Sequence, residues 1–208
     1  IKKVFKFVLS LLIIFICGPS VGADCMDFKI NPNINISKPD WKKTVVQPRE
    51  PMNLWHGNVL ATLVDNYDLT VDAKNVKDGI CVFLNNVDAT IGYNDFIVQI
   101  DIRHTPDTCA YNAVLDHEDK HIDTYLNVIN DFNAELNDAV KTAADSVMPV
   151  FVKNTDEINL AIDMINQELQ KHPDLILIKQ KINAAQEIRN KQVDQQEDGQ
   201  GLAKCFLN

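Results

Sequence analysis

Residues 117 to 121 read His-Glu-Asp-Lys-His, so two of the chain's five histidines stand four positions apart with a glutamate directly after the first. On a helix, that spacing puts both imidazoles on one face, one turn apart, where both can reach a single ion. Glu118 projects from the neighbouring flank. If zinc is the ion, it lowers the pKa of a bound water from 15.7 to about 7. A carboxylate placed like that of Glu118 takes the proton as general base and returns it later to a leaving amine. The competing reading of HEDKH is a solvated helix face, since Asp116, Asp119, Lys120 and Asp123 surround the pair with charge.

The elements around this motif have to position it. Leu115, Ile122, Leu126, Ile129, Phe132, Leu136, Val140 and Ala143 recur at helical steps, which predicts one amphipathic helix from about Tyr111 to Val147, ended by Pro149. A second helix is expected from Asn154, an Asn cap followed three residues later by Glu157, through Ile158, Ile162, Ile165 and Leu169 to a break at His172-Pro173. Ile176, Ile182, Ala185 and Ile188 carry a third stripe as far as VDQQEDGQG, whose polarity and glycines read as a loop. Upstream, DFKINPNINI, KTVVQP, VLATLV, YDLTVDA, GICVFLNN and DFIVQIDIR are strand signals. The last is the clearest, because Phe96, Val98, Ile100 and Ile102 alternate with Ile97, Gln99, Asp101 and Arg103. These patterns predict an α+β fold, a strand-rich half at 24–108 packed against long helices at 109–198, followed by a short tail at 199–208.

With the motif on a helix and a strand before it, residues 95–126 resemble the zincin metallopeptidases and, within them, small secreted bacterial zinc-dependent proteases. The resemblance implies that His117 and His121 are zinc ligands, that Glu118 is the general base, and that the preceding strand holds an extended peptide by β-pairing. It also implies a single zincin-like domain over 24–208. Thr124 and Asn127 occupy the positions of the glycine and third histidine of the longer metzincin motif, which excludes that branch. A third ligand is expected from Glu135, Glu157, Glu168, Glu187 or His104. On an unbroken helix Glu135 would lie ~21 Å from His121, which disfavours it unless the chain turns near residues 130–133. Tyr125 continues the 117–121 row and reads as a partly buried core residue that could also line the site. His56 reads as packing or surface, and His172 as a helix end.

Composition narrows the setting. Residues 1–23 have the layout of a secretory signal peptide: Lys2, Lys3 and Lys6, an apolar run from Phe7 to Cys17, then Val21-Gly22-Ala23 at a cleavage site. The run falls short of the ~20 residues a membrane span needs. Without the leader, 17 basic residues face 29 acidic ones, a net charge of −12, which argues against nucleic acid as a partner. The expected location is secreted or periplasmic, with a peptide or protein substrate and no membrane span after cleavage. Cys25, Cys81, Cys109 and Cys205 remain, an even count that predicts two disulfides. We expect Cys81 with Cys109 and Cys25 with Cys205, the second pair tying the ends together. The competing function is a non-catalytic exported binding or zinc-binding protein stapled by disulfides.

Overall fold

The computed structural model describes residues 23–52, 56–196 and 203–205. The leader therefore lies outside the described residues, except for Ala23. A 3-10 helix at Ala23–Phe28 precedes strands β1 (Asn33–Ser37), β2 (Lys42–Val46), β3 (Gly57–Val76) and β4 (Gly79–Ile100). Helices α1 (Cys109–Asp131) and α2 (Asn133–Ser146), strand β5 (Val150–Val152), and helices α3 (Ile158–Gln170) and α4 (Pro173–Gln196) follow. The α+β architecture is as the periodicity predicts, with four of the five described strands in the first half and the four α-helices in the second, where the short β5 also lies.

The strand signals fuse. VLATLV and YDLTVDA are parts of the 20-residue β3, and GICVFLNN and DFIVQI are parts of the 22-residue β4. The polar residues between them do not turn the chain, because the two strands pair along almost their whole length and absorb the mismatches as register shifts at Thr62/Leu63 and Thr70/Val71. At β4 residue Gly92, φ is +153°, a conformation that favours glycine, and Pro39 sits against the place a Cβ would occupy.

Strand β4 is the centre of the sheet. Its one edge carries β3 antiparallel, and its other edge is shared by β5 at Ile80–Val82, β1 at Asn86–Thr90 and β2 at Asp95–Gln99. This corrects the expectation that the strand before the motif helix offers a free edge to substrate. The backbone of 95–99 is already paired on both sides, and β3 has β4 as its only partner among the described strands. One face of β4, including Val87, Phe96, Val98 and Ile100, is fully buried against Val114, Ile122 and Val128 of α1 and against α2, α3 and α4 in one continuous core. At roughly 25 cal/mol per Å² of apolar surface, burial of such side chains is the main force joining the two halves.

The long helix predicted from Tyr111 to Val147 is two helices, divided at Phe132 (φ −90°, ψ 5°). Asn130, Asp131 and Asn133 crowd this point, and short polar side chains of that kind compete for helical backbone bonds. The start at Asn154 and the break at His172-Pro173 fall as predicted. Asn154 caps the chain by accepting from the Asp156 amide at 3.0 Å, and α4 opens on Pro173.

The disulfides join Cys25 to Cys81 and Cys109 to Cys205, so all four cysteines are paired but not as expected. Cys81 lies on β4, where the 3-10 helix brings Cys25 beside it. Cys109 is the first residue of α1, to which the chain returns after α4. The second disulfide therefore ties the start of the motif helix to the segment that follows α4. Two disulfides and the lack, among the described residues, of a helix long and apolar enough to cross a membrane are compatible with an exported protein.

Candidate metal centre

Helix α1 begins where the Thr108 side chain accepts from the Tyr111 amide, a standard N-cap, and its next turns carry HEDKH. Val114, Glu118 and Ile122 repeat every four residues and are all buried against the sheet. Glu118 thus holds a core-facing position at 4% exposure, beneath the backbone of Gly57 at the start of β3. A Cβ at residue 57 would collide with Glu118 Oε1 and lie 2.6 Å from Val114 Cγ1, so glycine is what lets strand and carboxylate approach. Burial pushes the Glu118 carboxyl up to about 7, and the negative charges of Asp194 and Asp119 add to the rise.

His117 and His121 occupy the next face of α1, turned toward α4. Their Nε2 atoms are 3.1 Å apart, and Asp194 Oδ1 lies 3.1 Å from His121 Nε2 and 3.4 Å from His117 Nε2. Three ligand atoms held 2.0–2.1 Å from one tetrahedral ion stand ~3.3 Å from each other. The triangle His117, His121 and Asp194 has that size, and its donors, two imidazoles and a carboxylate, are the set zinc takes in catalytic sites. His121 Nδ1 meets Asn190 Oδ1 at 2.9 Å. The site opens into a cleft of about 430 Å³ lined by Gly57, Asn58 and Val59 of β3, the motif residues, Tyr125, Asn190 and Asp194.

None of the acids expected as third ligand joins this triangle. Glu135 pairs with Lys181 at 2.8 Å, and Glu157 accepts from the Lys153 amide. Glu168 accepts from the Met148 amide, and Glu187 pairs with Lys191 at 2.6 Å. The chain does turn at Phe132, yet the turn carries Glu135 toward α4 and Lys181 rather than toward the histidines. His104 is buried and hydrogen-bonded to His56, Nε2 to Nδ1 at 2.9 Å, with burial holding its pKa below the ordinary value.

Asp194 lies in the segment VDQQEDGQG that reads as loop, and here the reading is corrected: α4 continues to Gln196. No glycine interrupts it before Gly199, and Asn190 and Asp194, four apart, face His121 and His117 across the antiparallel helix pair. That mirrored four-residue spacing was the signal available in the sequence, NKQVD against HEDKH.

The charged residues inside the motif have structural partners. Asp119 pairs with Lys43 of β2 at 2.8 Å, tying α1 to the far strand. Tyr125 is half-buried against Tyr93 and Phe96, with ring centroids 5.0 and 6.1 Å away, and also lines the cleft, so both readings of it hold. No protein-family model, curated protein or solved structure matches the chain.

Proposed function

We propose that this protein is an exported zinc-dependent hydrolase acting on peptide bonds. The observation that carries the reading is the triangle of His117 Nε2, His121 Nε2 and Asp194 Oδ1, drawn from two helices and closed to 3.1–3.4 Å beside the buried carboxylate of Glu118. When bound, zinc would supply a Lewis acid that polarises a carbonyl and acidifies water. The chain's own groups do the rest. Glu118 takes a proton from the attacking water and hands it to the departing amine, a role suited to a group that titrates near neutrality. Gly57, Asn58 and Val59 border the cleft on a strand whose second edge is unpaired among the described strands, and their backbone groups are available to align an extended peptide. The Tyr125 phenol borders the same cleft and in this reading would donate to an oxyanion.

Metal analysis and kinetics test this reading. The purified protein should hold about one zinc per chain, and His117→Ala and Asp194→Ala should lose it. Glu118→Gln should keep the metal and lower hydrolysis of a peptide library by about 10²–10⁴-fold. A wild-type protein without zinc after stoichiometric loading refutes the proposal. Zinc bound equally by wild type and Glu118→Gln, with neither cleaving any peptide, identifies instead a non-catalytic zinc-binding protein.

A further inference from the structure

We propose that Asn190 is the positioning residue of the centre, setting the tautomer and ring orientation of His121; this rests on the reading of His117, His121 and Asp194 as a zinc site. An imidazole binds a metal through the nitrogen that carries no proton, so the other nitrogen must hold the hydrogen. His121 Nδ1 lies 2.9 Å from Asn190 Oδ1, an amide oxygen that only accepts, and the proton therefore sits on Nδ1. The lone pair is left on Nε2, the atom that stands 3.1 Å from both His117 Nε2 and Asp194 Oδ1.

The placement is specific. Asn190 and Asp194 are one turn apart on α4, so a single helix face supplies both the ligand oxygen and the group that orients the opposing histidine. Buried Gln186, one turn before Asn190, and half-buried Val193 pack this part of α4 toward the fold, which holds the Asn190 amide at a constant distance from α1. Carboxylates and carbonyls that accept from the second nitrogen of a metal-bound histidine sharpen affinity by about 10–100-fold.

Zinc affinity of the full-length protein, measured by competition with a chromogenic chelator, tests the assignment. Asn190→Asp keeps an acceptor and should bind zinc at least as tightly as wild type. Asn190→Leu, of similar size without an acceptor, should bind about 10–100-fold more weakly while its far-UV circular dichroism is unchanged. Affinity of Asn190→Leu within about twofold of wild type overturns the proposal while leaving the zinc centre standing. A second measurement is independent of any variant's folding: ¹⁵N spectra of the histidine rings in the zinc-loaded wild type should show a protonated Nδ1 and a metal-bound Nε2 on His121. The opposite tautomer overturns the proposal, and a wild type that binds no zinc removes the centre itself and the role of Asn190 with it.

Discussion

Gly57 and Glu118 form the tightest dependency in the site. The carboxylate sits where an apolar side chain would ordinarily stand, and it fits because residue 57 has no Cβ. Gly57→Ala should therefore push Glu118 and Val114 aside, at a cost of about 1–3 kcal/mol as for other overpacked positions. We expect a lower melting temperature and at least a tenfold loss of hydrolysis, with zinc content unchanged because the histidines lie on another face of α1. Equal activity of the variant and wild type would show that the Glu118 position is not critical. The four-residue spacing in HEDKH is legible in the sequence and the fold keeps both imidazoles on one face of α1, while Asp119 inside the motif pairs with Lys43 of β2.

The centre is shared by two helices that meet at their ends. Among the described residues the last buried side chain of α4 is Gln186, and the two turns beyond it reach α1 through half-buried Asn190 and Val193 and the exposed Asp194. Helix ends with few buried contacts fray. The Cys109–Cys205 disulfide counters this by returning the chain after α4 to the first residue of the motif helix. Closing a loop over a sequence separation of 96 restricts the unfolded chain by about 4–5 kcal/mol in the entropy model. The double variant Cys109→Ser, Cys205→Ser should melt at lower temperature and bind zinc more weakly, since Asp194 is the proposed ligand nearest the released segment. Unaltered zinc affinity in a folded double variant would show that α1–α4 packing alone places Asp194. Sequence periodicity located the starts of α1 and α4 but ended α4 short of Asp194 and joined α1 to α2, because hydrophobic spacing continues across Phe132 while the backbone does not.

The sheet and helices share one core, and the polar group most deeply set beside it is Asp101. Its carboxylate, fully buried, accepts from the Arg103 amide and guanidinium and from the Met52 amide, fastening the segment before β3 to the end of β4. The Arg103 hydrogen bonds hold its pKa well below the ordinary carboxylate value. A depressed pKa in the fold adds stability that is complete above the unfolded value of about 4 and is lost as pH falls through the folded value. Asp101→Asn should cost about 2–3 kcal/mol at pH 7, read from denaturant unfolding, and its deficit should shrink as pH drops below about 4. A deficit constant with pH would assign the loss to shape rather than charge. In the sequence Asp101 read as the outward residue of an alternating strand. Its burial follows from the strand ending at Ile100 and the chain folding the Met52 region over it.

Local pattern alone determined the fold class, the helical site of HEDKH, the cap at Asn154 and the break at Pro173, because each depends on neighbours within a turn or two. Disulfide partners, the free edge on β3 rather than β4, and Asp194 as companion to the histidines were decided only when the chain closed on itself. Those features join residues 56 to 96 positions apart by disulfide and 73 apart at the candidate metal centre. Spacing along a chain carries no record of such distances, whereas the packing of α4 antiparallel to α1 sets them.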